Sequence, residues 1–595
     1  MTPRMNRAPC EAALNRLARP CAADRRPAFE CPTVRSDGVF RVAMETGRTR
    51  LLITGAMMAL AFIAVAVRTA DVSVFSARED AGIARAIPSA QPMQTERADI
   101  VDRNGVVVAT SLQTVSLYAD PRRVIDPAEA VRGLVGVFPD MDPIDMMGRI
   151  TTERSFVWIR RQLTPEQQFA VNALGLPGFE FQKEESRVYP HGNLLSHVVG
   201  FTDIDNNGIS AIEKSFDRRL KDDAEPLRLS VDVRIQHMVR EELAKATKEF
   251  EAIGGTAVVM QAKTGEVLSM VSLPDFDPNK PAQVTDEARF NRATLGVYEL
   301  GSVFKIFNTA MALEYGVTTM RGGYDASQPI KVGRFQINDF HGENRYLSVP
   351  EIFLYSSNIG SAKMALEVGA NAQRDFLDRL GLLNQVGLEL PERGQPMFPE
   401  TWRPVNVMTI SYGHGISVSP MNLASAVSAT VNGGWSVRPT LLMGDGTPQD
   451  AHRVMSAETS HAMRQLMRAL VEKGTGGKAE APGYLVGGKT GTAEKLSVAG
   501  GYNRNSRISS FVAAFPMQSP EYVVYVLLDE PKGNKSTYGF ATGGWVAAPV
   551  VSKIISRMAP LVGMRPFDPE TPAIRQDLAL EPTQAEKKLA AYRPE

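Results

Sequence analysis

The chain has 595 residues, 44% of them apolar and 22% charged, and its 66 basic side chains balance its 66 acidic ones, so no net field draws in a nucleic acid and no nucleic-acid partner is expected. The length sets a prior of roughly four domains at most. The three cysteines are Cys10, Cys21 and Cys31, and the seven histidines form no H-E-x-x-H pattern or close pair, which excludes disulfide and thiolate chemistry beyond residue 31 and leaves no metal or cofactor to expect.

In chain order, residues 1–50 hold ten arginines against five acids, with Arg41, Arg48 and Arg50 next to an uncharged run at 51–67. That run is at the short end of what spans a bilayer, and Arg68 can lengthen it by snorkelling. The basic flank keeps the N-terminus cytoplasmic by the positive-inside rule. The expectation is a cytoplasmic tail (1–50) and a single transmembrane anchor (51–70), with the rest exported. The rival is a signal peptide: Ala64-Val65-Ala66 fits a cleavage site, and translation from Met5 or Met44 in place of Met1 would shorten the basic region. The apolar run exceeds the usual signal core of about 15 residues, which favours the anchor.

A first, β-containing module is expected over 71–225. Residues 97–112 read as two strands around an Asn104-Gly105 turn, 126–180 as helical stretches broken by prolines, and 185–217 as loops with a turn at 206–208. A second module, 226–563, opens with a strand at 227 and a helix capped by Asp232, followed by an apolar hairpin at 254–272 around Lys263-Thr264-Gly265. Helical patterns cover 302–314, 349–369, 420–432 and 456–473, and strands return at 483–492, 508–516 and 521–529. Helices between an early hairpin and late strands predict an α+β, multi-domain chain whose first and last strands share one antiparallel sheet. A polar, solvated tail is expected over 564–595.

Three short motifs carry chemistry. Ser302-Val303-Phe304-Lys305 is the one S-x-x-K in the chain. Roughly two such matches arise by chance in a chain this long, but here the motif opens a helical run, which puts serine and lysine on one face within reach of each other. Ser356-Ser357-Asn358 supplies S-x-N, and Lys489-Thr490-Gly491-Thr492 supplies K-T-G-T, in the order that a serine acyl transferase needs. The bland readings are a helix cap with a solvated lysine for 302–305, a turn for 356–358, and an exposed lysine on an edge strand for 489. Residues 483–490 also satisfy G-x-x-x-x-G-K-[ST], but Tyr484, Leu485 and Val486 read as a strand and Gly491 interrupts any following helix, so a phosphate-binding loop does not fit.

These motifs, together with "RADIVDRNG", "RVYPHGNLLSHVVGF", "GISAIEKSFD" and "YELGSVFK", resemble the class B penicillin-binding proteins, the membrane-anchored D,D-transpeptidases of bacterial peptidoglycan synthesis. The resemblance covers about residues 45–560. Ala98 and Ala211 stand where glycine is usual, and Leu300 where proline precedes Gly-Ser. "SYGHGISVSP" and "LPDFDPN" look more like the cell-division branch than the elongation branch. The resemblance implies a non-catalytic pedestal or dimerisation-like module followed by a penicilloyl-serine transferase, β-lactamase-like domain with a helix-flanked antiparallel sheet. It implies Ser302 as nucleophile, Lys305 as its base, Ser356 as proton relay, and Asn358 as a holder of the substrate amide. Lys489, Thr490 and Thr492 would bind the substrate carboxylate, Gly491 would let the substrate backbone lie close, and the backbone N–H groups of Ser302 and Thr492 would form the oxyanion hole. Implied partners are peptidoglycan stem peptides, β-lactams and a membrane-embedded glycan polymerase. A β-lactamase, an elongation-type relative and a non-catalytic division scaffold are the alternatives.

Overall fold

The computed structural model describes residues 39–70 and 97–580, apart from 334, 341 and 497–500. The expected tail at 581–595 and most of 1–50 lie outside the described residues. The chain divides into two compact units, 1–93 and 94–595.

In the first unit, Val39–Ala70 forms one helix of 32 residues, α1. Its described side chains between 52 and 67 are apolar on all sides of the helix and exposed, rather than segregated onto one face. Among the described residues no helix is long and apolar enough to cross a membrane, and within the expected span the side chains at positions 51, 54, 68 and 70 lie outside the described residues.

The second unit begins with the expected hairpin. Strand β1 (Ile100–Val101) pairs antiparallel with the start of β2 (Val107–Ala119), and Asp102 Oδ1 closes the turn by accepting from the backbone N–H groups of Asn104 and Val106, both at 2.8 Å. The prolines expected to break helices instead start them: α2 (Pro127–Val137), α3 (Pro143–Ile150) and α4 (Pro165–Ala173) each carry proline in the first turn behind an Asp or Thr cap, where the missing N–H costs nothing. Between and after them lie two strands that the sequence did not reveal, β3 (Val157–Leu163) and β4 (Phe179–Val188), both antiparallel to β2. Residues 227–228 form β5, which pairs parallel with β1, so the strand expected to open the second module completes the first sheet.

A buried ion cluster locks this region. Glu213 is fully buried and takes Arg97 on one carboxylate oxygen and Arg187 Nε on the other at 2.7 Å, while Arg97 also reaches Asp217 at 2.8 Å. Two guanidinium groups converge on one carboxylate, an arrangement whose desolvation is tolerable because every charge is paired.

Helix α5 (Val233–Glu249) follows, and its N-terminal N–H groups are held by its own cap Asp232 and by Asp102 Oδ2, which accepts from Val233 N at 3.1 Å. The principal sheet then opens with the expected hairpin β6 (Gly254–Gln261) and β7 (Val267–Leu273). Three late strands, β8 (Gly487–Leu496), β9 (Tyr502–Phe515) and β10 (Tyr522–Asp529), complete it in the order β8-β9-β10-β6-β7, antiparallel throughout, so early and late strands do share one sheet. Alternation along β6 sends Ala257 and Val259 to a core with α5 and the helix at Ala548–Leu561, and Val258 and Met260 to a core with Phe304, Phe307 and the helices at Pro420–Val431 and Ala457–Lys473. Both faces are therefore dry, which is why these strands read as unbroken apolar runs. Part of the expected solvated tail is folded: Pro572–Leu578 is a helix whose Leu578 is buried and whose Asp577 Oδ1 lies 2.9 Å from His461 Nε2.

Candidate active site

Ser302 lies in a tight turn, Gly301–Phe304, that leads directly into a helix at Lys305–Glu314. Phe304, Ile306 and Phe307 fill the core behind it, so the burial of this helix fixes where residues 302 and 305 point. Residues 349–369, expected as one helix, are two: Val349–Leu354 and Asn358–Val368. The break is at Ser356, whose φ of 59° is left-handed and turns its side chain and carbonyl back toward Lys305. Lys489 projects from β8, the outermost strand of the principal sheet.

These three segments meet. Lys305 Nζ is 3.1 Å from Ser302 Oγ, 3.0 Å from Ser356 Oγ and 2.5 Å from the Ser356 carbonyl, and donates to Asn358 Oδ1 at 2.7 Å. Lys489 Nζ reaches the same Ser356 Oγ from the far side at 3.2 Å. Both lysines are fully buried, with 0% of their surface exposed. Burial, and then the neighbouring Lys489 cation, holds Lys305 well below the ordinary lysine range, with Asp339 acting in the opposite direction. Burial alone pushes Lys489 down to about 7. An amine that is neutral at working pH has a lone pair for the Ser302 proton and two N–H groups for the Ser356 carbonyl and Asn358. The bland readings of the two lysine motifs fail on this geometry, since neither lysine is solvated; Ser356 does sit in a turn that ends a helix, and that turn presents its carbonyl to Lys305 and its hydroxyl to both lysines.

The remaining expected residues fall around this line. Thr490 Oγ1 is 3.2 Å from Thr475 Oγ1, and Thr492 Oγ1 accepts from Gly543 N at 3.1 Å, so both hydroxyls are held in place along the lysine strand. Asn358 is engaged at both ends, because its Nδ2 donates to the Asn338 carbonyl at 2.9 Å. Gly491 is also closely packed: a Cβ there would lie 2.4 Å from Ser510 Oγ and 2.7 Å from the Leu300 carbonyl. The small residue lets the strand pack against the turn that bears Ser302.

Two features carried no sequence signal. Asp339 accepts from the N–H groups of Asn358 and Ile359 and from Ser357 Oγ. Glu299 accepts from Gly415 N at 2.8 Å and from the Tyr502 hydroxyl at 3.0 Å, joining the nucleophile turn to the 411–416 loop and to the start of β9; burial raises its carboxyl above the usual range. His414, in that loop, packs edge-on against Tyr412 and Tyr502, and burial, with the Lys305 charge second, pushes it down to about 4. It stands there as a neutral ring.

A nucleophilic hydroxyl, a depressed amine beside it, a second hydroxyl bridging to a second amine, and a sheet edge open to an extended chain make up an acyl-transfer site. Residues 255–556 match the penicillin binding protein transpeptidase domain, and residues 92–234 match the penicillin-binding protein dimerisation domain. Over 532 residues the chain is 39% identical to a protein of Caulobacter vibrioides named probable peptidoglycan D,D-transpeptidase FtsI, covering 87% of this chain and 89% of that one. It is 34% identical over 517 residues to the probable peptidoglycan D,D-transpeptidase PenA of Neisseria gonorrhoeae, covering 81% and 87%. The fold is similar to that of penicillin binding protein 3 from Mycobacterium tuberculosis in complex with aztreonam, with a TM-score of 0.64, 24% identity, and coverage of 82% of this chain and 99% of that one. By its matched domains and its relatives along most of its length, the chain belongs to the penicillin-binding protein transpeptidase family.

Proposed function

We propose that the protein is a serine peptidoglycan D,D-transpeptidase that cross-links stem peptides in septal wall synthesis and that β-lactams inhibit by acylating the same serine. The observation that carries this reading is the unbroken line of contacts from Ser302 Oγ through Lys305 Nζ and Ser356 Oγ to Lys489 Nζ. Neutral Lys305 takes the Ser302 proton as Oγ attacks the carbonyl carbon of the penultimate D-alanine, and the N–H groups of Ser302 and Thr492 receive the developing oxyanion. The peptide C–N bond breaks, and Ser356 passes the proton to the departing D-alanine amine. An acceptor amine from a neighbouring stem then attacks the acyl-enzyme, which forms the cross-link and frees Ser302. Lys489 with the hydroxyls of Thr490 and Thr492 receives the terminal carboxylate, and the second Nδ2 hydrogen of Asn358 is available to the substrate amide.

The all-round apolar character of the described side chains between 52 and 67 in α1 and the arginines that precede that run support a single-pass inner-membrane anchor with the 94–595 unit in the periplasm. A membrane-embedded glycan polymerase is the partner such an anchor would meet. The septal assignment is supported by the relatives named FtsI.

Fluorescent penicillin is expected to label the wild-type chain stably and to leave Ser302→Ala unlabelled. No label on either protein would leave a scaffold, rapid release of label a β-lactamase. Depletion is expected to give filaments; round cells would move the protein to elongation.

Carboxylate binding is also expected to draw in a proton. Lys489 is pushed down to about 7, and an anion beside it favours the charged form. Above neutral pH the amine arrives partly neutral and leaves charged, so binding takes up a proton at pH 8 and none at pH 6. Calorimetry of a D-Ala-D-Ala-terminated peptide in two buffers of different ionisation enthalpy reads this directly. Enthalpies that agree between the buffers at pH 8 would remove Lys489 as the carboxylate's partner.

A further inference from the structure

We propose that Asp339 is a positioning residue of the acyl-transfer site: its carboxylate braces the turn that carries Ser356 and Asn358, and it supplies the negative charge that faces Lys305. The inference rests on the reading of Ser302 as the acylated nucleophile.

The brace is visible bond by bond. Asp339 Oδ1 accepts from Asn358 N at 2.5 Å and from Ile359 N at 3.0 Å, and Oδ2 accepts from Ser357 Oγ at 2.7 Å. One residue earlier, the Asn338 carbonyl takes Asn358 Nδ2 at 2.9 Å. The two-residue segment 338–339 therefore holds Asn358 by both its backbone and its amide, and that fixes Asn358 Oδ1 at 2.7 Å from Lys305 Nζ. Ser356, just before, sits at φ 59°. A non-glycine residue in the left-handed region is strained and persists only where its surroundings determine it. The bonds from Asp339 to the next three residues are such surroundings. The carboxylate also lies at the N-terminal end of the 11-residue helix Asn358–Val368, where the unpaired N–H groups and the helix dipole favour an anion.

Charge gives the residue a second effect. The groups that face Lys305 are Lys489 from the edge strand, His414 from the 411–416 loop and Asp339. His414 is neutral and Lys489 is cationic or neutral, so Asp339 is the acid that opposes the loss of the Lys305 charge. With no such anion the amine would give up its proton at still lower pH and would be a weaker base for the serine hydroxyl. The acid therefore sets how basic Lys305 is as well as where it points.

The two effects separate experimentally on the full chain, with acylation by fluorescent penicillin followed against pH and thermal unfolding recorded for each variant. Asp339→Ala removes brace and charge and is expected to slow acylation about 10²-fold, the loss typical of a displaced catalytic group. Asp339→Asn keeps an oxygen for the two backbone N–H groups and is expected to slow acylation only about tenfold while moving the acid limb of the pH profile to lower pH. A purely structural residue would lower the rate or the melting temperature without moving that limb. Wild-type speed in Asp339→Ala, or an acid limb that stays in place in folded Asp339→Asn, overturns the proposal. Absence of label on the wild type would instead sink the nucleophile reading beneath it, and Ser302→Ala run in parallel tells the two failures apart.

Discussion

Lys305→Met is expected to fold and to lose acylation of Ser302 by about 10⁴-fold, at the upper end of what a general base contributes. The amine at position 305 is fully buried and is 3.1 Å from the serine hydroxyl; no other described amine contacts Ser302 in the hydrogen bonds of this site. Methionine has nearly the length of lysine and no charge to desolvate, so the core formed with Phe304 and Phe307 can stay closed around it. Lys305→Arg is the informative companion. It keeps a cation between Ser356 and Asn358, but a guanidinium does not give up its proton in a protein, so a variant that preserves charge and loses acylation identifies proton transfer, not electrostatic attraction, as the function of the residue. The pH profile of wild-type acylation follows from the same shifts. Lys305, held well below the ordinary lysine range, becomes a base as pH rises through its depressed value, and the rate climbs. Lys489 loses the charge that attracts a carboxylate as pH rises through about 7, and the rate falls again. Second-order acylation by a penicillin should therefore be bell-shaped, with its alkaline limb near neutrality. Labelling of Lys305→Met or Lys305→Arg at a rate close to wild type would show that the proton leaves Ser302 by another route.

What the sequence disclosed about this site was set by how local each cause is. Ser302 and Lys305 are one helical turn apart, so spacing alone brings them together, and the hairpin at 254–273 is written in its Lys-Thr-Gly turn and its apolar strands. Ser356 was legible as a motif member, and the end of a helix there only as one reading beside a continuous helix over 349–369, because its left-handed backbone is held through Asp339 and Lys305, which lie far from it in the chain. Asp339 itself belongs to no motif, since its partners are 18 to 20 residues away. The strands at 157–163 and 179–188 escaped for a different reason. They carry charged residues on half-exposed faces, among them Arg160, Arg161, Glu180 and Glu184, which find ion pairs across the sheet and to neighbouring loops and blur the alternation by which a strand is recognised. Gly491 was legible as a place where a backbone can come close, but its packing against the neighbouring turn depends on the position of Leu300 and Ser510, which spacing does not disclose.

The second large effect concerns that same packing. Gly301→Ala is expected to cost about 3 kcal/mol of stability, from one strained left-handed residue and one overpacked contact, and to slow acylation about 10²-fold or more in whatever protein remains folded. Gly301 has φ 61°, and a Cβ on it would sit 2.4 Å from the Thr492 carbonyl. Neither neighbour can yield. Thr492 belongs to β8, which is paired with β9 on one side, and the Gly301 backbone is met from the other side by Gly413, whose own Cβ would fall 2.3 Å from the Gly301 carbonyl. Three backbones, from 301, 413 and 492, thus approach one another with no side chain between them, and the nucleophile is the next residue along. An added methyl must push the turn away from β8, which separates Ser302 from the strand that carries Lys489 and from the Thr492 N–H proposed to receive the oxyanion. Lys305 is anchored separately by Ser356 and Asn358, so the displacement opens the serine-to-lysine contact rather than moving both together. The signature is a melting temperature lowered by several degrees together with an acylation defect that persists at temperatures where the variant is fully folded. An unchanged acylation rate in folded Gly301→Ala would mean that the turn can move without the site noticing, and that the close approach of the three backbones serves the fold alone.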